Sequence, residues 1–350
     1  MSNSTDSLLA EFTGYLRAGN SLDGSQVAGA AEALVDADAS VEGRAEFLEA
    51  LAKKGETPEE VAGFVEAFLE RAVDPGVSEE AVGKPLLDVC GTGGDKLDLF
   101  NVSTTSMFVV AGAGVGVVKH GNRGITSKSG GADVLEALGV RIDLPPERFR
   151  ECMEKHGIGF MMAPLYHPAF AAVVPVRKLL ADRGQRTVFN MIGPLLNPVK
   201  PARQLLGTFS PDILEMYASI LGKLGRKTAW AVSGSAGDGR WMDECSTLGA
   251  TEVVPVSGEK FQIVPGDLGF TPPDLADLGG GDAGVNGKIL TGILEGDITG
   301  AKRDLVLLNA AAGITVAGLA TNIKEGIALA VESLDSGAAK AKLQALASEA

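Results

Sequence analysis

The stretch from Asp88 to Asp133 reads DVCGTGGDKLDLFNVSTTSMFVVAGAGVGVVKHGNRGITSKSGGAD. An apolar lead-in from Leu86 to Cys90 predicts a short buried strand, and the glycine-rich segment Gly91 to Asp95 follows it directly. Glycines permit backbone torsions that a side chain would forbid, so a loop of this kind can point successive N–H groups at one anion. The stretch therefore predicts an anion-binding turn at the end of a strand.

The rest of the stretch adds hydroxyls and cations. Asn101 to Thr105 suits the first turn of a helix, whose free N–H groups and dipole attract phosphate. A second apolar run, Val115 to Val118, leads into Lys119 to Arg123, and Thr126 to Gly131 then precedes a helix predicted to begin near Ala132. This inventory favours a small molecule that carries more than one phosphate.

A lone GTGGD segment is weak as a signal, because a glycine-rich turn also lets a helix pack close to a sheet. Neither the GxGxxG nor the GxxxxGK[ST] pattern occurs in the stretch, which argues against the usual dinucleotide and nucleoside-triphosphate sites. The conjunction of glycines, hydroxyls and cations near strand ends carries the prediction.

Composition excludes several classes of function. The net charge of −14 argues against nucleic-acid binding, which uses clustered Lys and Arg. Cys90, Cys152 and Cys245 are too few and too scattered for a disulfide framework or a zinc site. The first residues lack a signal-peptide pattern, and no apolar run approaches the ~20 residues that span a membrane. We therefore expect a soluble, cytoplasmic protein that does not bind membranes.

Two domains are predicted, both from local patterns. Residues 1–75 have helical spacing of apolar residues, with a capping box at Thr57 to Glu60, and Asp74-Pro75-Gly76 marks a boundary. Residues 76–350 alternate apolar runs with helices, which is typical of a mostly parallel sheet flanked by helices. A helical segment from about 173 to 196 is expected to join the N-terminal domain. The predicted strands are Leu86–Cys90, Gly114–Lys119, Ile158–Met161, Leu205–Ser210, Thr228–Ser233 and a pair within Thr251–Val264.

These motifs resemble the anthranilate phosphoribosyltransferase family. The resemblance is carried by GTGGD, FNVST and KHGNR…SKSGGADVLEALG, and it continues through Gly159 to Pro175, Thr187 to Pro198 and Met242-Asp243-Glu244 as far as Leu346. It implies the nucleoside phosphorylase/phosphoribosyltransferase type of α/β fold with a small helical domain. It also implies a Mg²⁺-dependent homodimer that joins anthranilate to 5-phosphoribosyl-1-pyrophosphate (PRPP), with pyrophosphate as the leaving group.

The resemblance assigns a role to each motif. Lys119 and Asp95 are the implied catalytic residues, and Ser103, Asp243 and Glu244 are the implied Mg²⁺ ligands, since Mg²⁺ prefers hard oxygen donors. Anthranilate would contact Gly91, Asn122, Arg177 and His120, with a bidentate hold on its carboxylate by Arg177. PRPP would contact Gly91, Gly94, Asp95, Asn101, Ser103, Thr104, Lys119, His120, Gly121, Asn122, Ser127 and Gly131.

Some alternatives stay open at this point. His120 is expected to position substrate rather than act as a base, and His167 either lines the anthranilate site or is structural. Leu99 and Gly131 stand where the family commonly has hydroxyl residues, which removes two side-chain phosphate contacts. The competing functions are a pyrimidine-nucleoside phosphorylase of the same fold, which would not need Asp243 and Glu244, and a non-catalytic nucleic-acid-binding relative.

Overall fold

A computed structural model describes residues 4–124 and 128–349 of the chain. Its helices are α1 (Ser4–Arg17), α2 (Gly24–Val35), α3 (Val41–Lys54), α4 (Pro58–Glu70), α5 (Glu79–Val82), α6 (Val102–Gly112), α7 (Gly131–Ala137), α8 (Pro146–His156), α9 (Ala163–Tyr166), α10 (Val174–Asp182), α11 (Leu214–Lys223), α12 (Ala283–Glu295), α13 (Ala301–Val316), α14 (Ile323–Asp335) and α15 (Ala338–Ala347). Its strands are β1 (Leu86–Gly91), β2 (Gly116–Gly121), β3 (Ile158–Met162), β4 (Arg203–Gly207), β5 (Thr228–Ser235), β6 (Trp241–Met242), β7 (Thr251–Pro255) and β8 (Phe261–Ile263).

The strands form one sheet in the order β3-β2-β1-β4-β5-β7-β8, with β6 paired to β5. The five strands from β3 to β5 run parallel, whereas β6, β7 and β8 add antiparallel pairs at one side. The predicted α/β class with a mostly parallel sheet is confirmed. Because β1, β2, β4 and β5 are neighbours, their carboxyl ends open on one edge of the sheet, which is where ligands bind in such folds.

The predicted strands occur in the described residues, with shifted ends. The strand predicted at Leu205–Ser210 is β4, which begins at Arg203 and ends at Gly207, and the strand predicted from Gly114 begins at Gly116. The predicted pair after Thr251 is β7 and β8. β6 was not predicted, because two residues that follow a turn carry no periodicity.

Two apolar cores lie on opposite faces of the sheet. One contains Leu87, Val89 and Leu205 with residues from α6, α8, α12, α13, α14 and α15. The other contains Leu206 and Ala231 of the sheet, residues of α1–α4 and α11, and residues of the segment 173–196. The N-terminal helices therefore cover one face of the sheet together with a segment that lies far along the chain.

The N-terminal helices are built as their sequence predicts. Glu60 donates its backbone N–H to Thr57 Oγ1 over 3.2 Å, and the Thr57 N–H donates to Glu60 Oε2 over 2.9 Å, so the capping box forms. Phe68 of α4 packs edge-on against Phe170 and in parallel with Phe189. Arg44 donates to the Ala172 carbonyl over 2.6 Å. The domain division at residue 75 stays a prediction, but these contacts tie α3 and α4 to the later segment.

The segment 173–196 is less helical than predicted. α10 ends at Asp182, and only single 3₁₀ turns follow, at Val188–Asn190 and Gly193–Leu195. Pro194 and the glycines at 184 and 193 explain the interruption, because both residue types are unfavourable inside a helix. Among the helices of the described residues, none is both long enough and apolar enough to cross a bilayer.

Candidate active site

The segment Asp243 to Ser246 lies across the ends of three neighbouring parallel strands, and each strand meets it with a glycine. A Cβ added to Gly207 would lie 1.7 Å from the Asp243 carbonyl oxygen, and one added to Gly91 would lie 2.2 Å from Asp243 Oδ2. A Cβ on Gly234 would lie 2.4 Å from the Glu244 carbonyl oxygen. Gly91 and Gly207 are register partners in β1 and β4. Only bare backbone at these ends lets the acidic segment approach so closely.

The two carboxylates of this segment accept hydrogen bonds from main-chain N–H groups. Gly93 donates to Asp243 Oδ2 over 2.7 Å, and Ser103 donates to Glu244 Oε1 over 2.9 Å. Ser103 lies in the first turn of α6, so Glu244 lies at the positive end of that helix dipole. The predicted acidic pair, the glycine loop and the predicted helix start are thus brought together.

The acidic pair carries more negative charge than the protein around it compensates. Burial raises the pKa of Asp243, and the charge of nearby Asp95 raises it further. Burial also raises the pKa of Glu244, together with the charge of Asp243. The N–H donors and the Lys119 ammonium lower these pKa values only in part. A cation bound here would therefore lower the free energy of the ionised pair.

The donor set fits a magnesium ion that also binds a substrate. Within residues 4–124 and 128–349, no three His, Cys, Asp or Glu side chains converge on one point. Asp243, Glu244 and the Ser103 hydroxyl offer hard oxygen donors, and Mg²⁺ commonly takes one or two carboxylates and completes its shell with water and phosphate oxygens. These three groups would supply the protein ligands of such an ion, and water and substrate oxygens would supply the others.

Lys119 lies on β2, the strand that pairs with β1. Its side chain is buried, and its Nζ donates to the Val89 carbonyl over 2.5 Å and to Ser103 Oγ over 3.3 Å. An ammonium has three donors, so one remains for a ligand. The lysine therefore combines a fixed position with a free hydrogen-bond donor beside the acidic pair.

The glycine-rich loop has an unusual backbone. Gly93 and Gly94 have φ of 66° and 86°, and the non-glycine residues Lys96 and Asp98 also have positive φ, 57° and 53°. Leu97 lies in a small apolar cluster with Ala236 and Met242, which anchors the loop beside the acidic pair. The first part of the loop can then present the N–H groups that the sequence predicts, because its second part is fixed by packing.

Asn101 is held by a second amide. Asn286 of α12 donates from Nδ2 to Asn101 Oδ1 over 2.7 Å, and Asn101 donates from Nδ2 to the Ser129 carbonyl over 3.2 Å. The oxygen of Asn286 accepts the Gly281 N–H over 2.8 Å. These bonds join the start of α6 to the C-terminal helices and to the loop before α7.

The remaining predicted PRPP residues occupy the same edge. Gly131 is the first residue of α7, and a Cβ on it would lie 2.9 Å from Thr104 Oγ1, so a bare glycine leaves room for that hydroxyl. Gly121 ends β2, and Asn122 is exposed just beyond it. Asp95 accepts the Leu97 N–H over 3.1 Å, and Gly94 is exposed. Ser127 lies outside the described residues.

Both ring nitrogens of His120 lie within hydrogen-bond distance of protein groups. Its Nε2 lies 2.8 Å from the Gly193 carbonyl oxygen, and its Nδ1 lies 3.0 Å from Asp88 Oδ2. Both ring nitrogens are thus engaged within the protein, and His120 ties the end of β2 to β1 and to the 3₁₀ turn that begins at Gly193. The expectation that His120 positions substrate rather than acts as a base stays a prediction. Substrate contacts of His120 stay a prediction and cannot use its ring nitrogens in this arrangement.

Arg177 and His167 lie on the other layer of the protein. Arg177 of α10 is exposed, stacks over Phe189 with 5.8 Å from its guanidinium carbon to the ring centre, and makes no hydrogen bond or ion pair with any described residue. Its guanidinium is thus available to a carboxylate.

His167 is buried beside Phe170, and its Nε2 lies 2.7 Å from the Leu196 carbonyl oxygen. Burial lowers the pKa of His167 to about 4, so the structural alternative fits its neutral, bonded ring.

Two residues near the site received no role from the sequence: Arg186, and Asn309, which lies in the Leu308-Asn309-Ala310 part of the family resemblance. Arg186 stacks over Phe209, 4.8 Å from the ring centre, and its guanidinium lies 4.0 Å from the position of a Cβ on Gly94. Asn309 of α13 hydrogen-bonds to the main chain of Cys245. A lone Arg or Asn in a helix-rich segment carries no local signal, and only the fold places either beside the glycine loop or the acidic pair.

Comparisons with known proteins agree with this geometry. Residues 10–72 match the model of the helical bundle domain of a glycosyl transferase family, and residues 83–340 match that family's a/b domain. A protein from Anaeromyxobacter dehalogenans called anthranilate phosphoribosyltransferase is 43% identical over 94% of this chain and 94% of its own length. The crystal structure of the Thermus thermophilus anthranilate phosphoribosyltransferase has a TM-score of 0.88 at 38% identity, covering 97% of this chain and 98% of the other. The Saccharomyces cerevisiae enzyme in complex with PRPP and Mg also has a TM-score of 0.88, at 27% identity and 98% coverage of both chains.

Replacing the glycine under the acidic segment tests the close approach. We expect Gly207→Ala to lower the free energy of unfolding by about 1–3 kcal/mol or more, because its methyl group would overlap main-chain atoms. Gly222→Ala is the matched control, since a Cβ there meets no atom within 4 Å. Urea unfolding monitored by circular dichroism measures both variants. Equal stability of the two would show that the segment is free to move away from β4.

Proposed function

This chain belongs to the anthranilate phosphoribosyltransferase family, and on that ground we propose that it transfers the 5-phosphoribosyl group of PRPP to the amine of anthranilate, a step of tryptophan biosynthesis. The observation that carries the proposal is the conjunction, at one sheet edge, of a half-buried acidic pair, a glycine loop and a buried lysine. These groups suit a diphosphorylated sugar and an associated cation.

The reaction makes one bond and breaks another. The anthranilate nitrogen bonds to C1 of the ribose, the C1–oxygen bond breaks, and its electron pair leaves with pyrophosphate. The proton left on the new C–N group passes to solvent. An aromatic amine is neutral near pH 7, so the reaction needs no strong base, and positioning alone contributes roughly 7–11 kcal/mol in favourable cases.

The leaving group would be held by the β1 loop, by the start of α6 and by Lys119. The Gly94 N–H and the free donor of Lys119 Nζ would stabilise negative charge as it gathers on pyrophosphate. Asp243, Glu244 and the Ser103 hydroxyl would hold magnesium, with Asp95 nearby. When bound, magnesium neutralises phosphate charge.

Anthranilate, the acceptor, would bind on the side of the sheet covered by α1–α4 and segment 173–196, which we call the helical layer. Arg177 is proposed to grip the anthranilate carboxylate with two parallel hydrogen bonds, and Gly91 and Asn122 are proposed to line the same site. This assignment is supported by the exposed guanidinium, which has no partner among the described residues. A structure of the Saccharomyces cerevisiae relative in complex with 4-fluoroanthranilate supports an aromatic amine as acceptor.

Homodimer formation and a cytoplasmic location are part of this proposal. The exposed Tyr15 of α1 is one large apolar side chain on the helical layer that a second copy could cover. Sedimentation of the purified chain measures its oligomeric state.

The first experiment compares two reaction mixtures. One contains PRPP, anthranilate and Mg²⁺, and the other contains thymidine or uridine with phosphate. We expect turnover only in the first, followed as the loss of anthranilate fluorescence. Turnover in the second mixture alone would identify a pyrimidine-nucleoside phosphorylase instead.

A double variant tests the acidic pair. We expect Asp243→Asn with Glu244→Gln to abolish Mg²⁺-dependent turnover while the fold persists, because the negative charge of the pair is removed without loss of side-chain volume. Glu259→Gln with Asp267→Asn, on the exposed surface, is the control. Steady-state rates against Mg²⁺ concentration and thermal unfolding measure the effect. Activity equal to that of the control would remove the metal assignment.

A second substitution tests the acceptor site. We expect Arg177→Ala to raise the KM for anthranilate roughly 10- to 100-fold, as fits the loss of a charged hydrogen bond of about 1.5–3 kcal/mol, with little change in the KM for PRPP. Lys178→Ala, the exposed neighbour on α10, is the control. A rise of the same size in both KM values would mean that Arg177 does not bind the carboxylate.

A further inference from the structure

Asn309 of α13 clamps the peptide that follows the acidic pair. Its side chain is 2% exposed. The Cys245 N–H donates to Asn309 Oδ1 over 2.8 Å, and Asn309 Nδ2 donates back to the Cys245 carbonyl over 2.8 Å. The second Nδ2 hydrogen faces the Leu305 carbonyl over 2.9 Å, one helical turn away.

Only one orientation of this amide satisfies its partners. A flipped amide would set its oxygen against two carbonyl oxygens and its nitrogen against an N–H group. The pair of bonds to Cys245 copies the double hydrogen bond that two residues exchange across antiparallel strands. The Asn309 side chain thus makes the two bonds that a neighbouring strand would make to Cys245, the residue directly after Glu244.

The helix that carries Asn309 is itself fixed. Leu305, Leu308 and Ala312 of α13 are fully buried in the core on that face of the sheet. A Cβ on Gly313 would lie 3.2 Å from Val110 and 3.3 Å from Leu87, so the helix packs tightly on α6 and β1. α13 can therefore hold the segment Asp243 to Ser246, which has little regular secondary structure of its own, in a fixed position.

The acidic segment is held from two sides. The glycines of β1, β4 and β5 bound it on the sheet side, and Asn309 bounds it on the helix side. Two neighbouring carboxylates that repel each other would turn apart if the main chain between these boundaries could rotate. The clamp restricts that rotation at the residue next to Glu244.

We propose that Asn309 is a positioning residue for the cation site, because it fixes the direction in which Asp243 and Glu244 present their oxygens to a divalent cation and diphosphate. This inference rests on the proposed function. Residues that hold metal ligands from behind typically contribute roughly 10- to 100-fold to metal affinity. The side-chain amide of Asn309 is bonded to the main chain of Cys245 and Leu305, so it would act through the main chain.

The test uses Asn309→Ser as its main variant. A serine hydroxyl can still bond to the carbonyl one turn earlier in the helix, but it is too short to reach Cys245. Asn309→Leu, of similar volume, is the second variant and removes both bonds to Cys245. Thr315→Val is the matched control on α13, since Thr315 Oγ1 bonds to the Ala311 carbonyl over 2.8 Å within the helix.

Calorimetry of the full chain with PRPP, at several Mg²⁺ concentrations and without anthranilate, provides a readout separate from turnover. We expect Asn309→Ser to require roughly 10- to 100-fold more Mg²⁺ for half-maximal PRPP binding, whereas Thr315→Val keeps the Mg²⁺ requirement of the unaltered chain. Affinity for PRPP in metal-free buffer should be unchanged. Excess Mg²⁺ should restore turnover.

Three results would overturn the inference. The first is a folded Asn309→Ser or Asn309→Leu variant with the Mg²⁺ requirement of the control. The second is an equal loss of PRPP affinity with and without metal, which would indicate general distortion of the loop. The third is an unaltered chain that does not bind PRPP with Mg²⁺, which would overturn the proposed function first. Failure of the inference on Asn309 is therefore distinguishable from failure of the proposed function.

Discussion

The close approach of the acidic segment to three strand ends is the constraint on which the site depends. The main chain at Asp243 and Glu244 rests against Gly207, Gly91 and Gly234, and no other residue type leaves the needed space. A side chain at any of these positions would lift the carboxylates away from the glycine loop and from α6. The two bonds from Gly93 and Ser103 would then be lost, and with them the alignment of acids, amides and lysine. The geometry of the sheet edge thus determines the chemistry of the cleft.

Charge explains why so much structure surrounds two acids. Isolated buried carboxylates are costly, and main-chain N–H groups, a helix dipole and the Lys119 ammonium offset only part of that cost. In the proposed function, a cation offsets the remaining negative charge and in turn attracts the diphosphate of the substrate. A chain with a net charge of −14 can then bind a polyanionic substrate, because contact-distance charges outweigh distant ones that salt screens.

Sequence predicted the elements whose signals are local. The GTGGD loop, the FNVST helix start and the capping box at Thr57 are each a short run of consecutive residues. The local sequence therefore contains every residue that forms each of these features. Partnerships across the chain were not accessible in this way. Nothing near His120 indicates that Asp88 and Gly193 engage both its ring nitrogens, and Asn309 is 64 residues from Cys245. The need for glycine at 207 and 234 depends on which segment crosses the sheet edge, and only tertiary structure specifies that. Motif resemblance indicated the acidic pair, whereas the residues that hold it in place required the fold.

The shared apolar layer has a consequence for how such proteins recombine. Helices α1–α4 pack with residues 173–196, and Arg44 binds the carbonyl of Ala172, so the layer is assembled from two stretches that the gene keeps apart. An exchange of the first 75 residues between homologues would pair native helices with a foreign return segment. The two stretches must therefore change together during evolution if their packing is to be preserved. A chimaera made by one crossover between them should have poorly matched side chains where α1–α4 pack on residues 173–196.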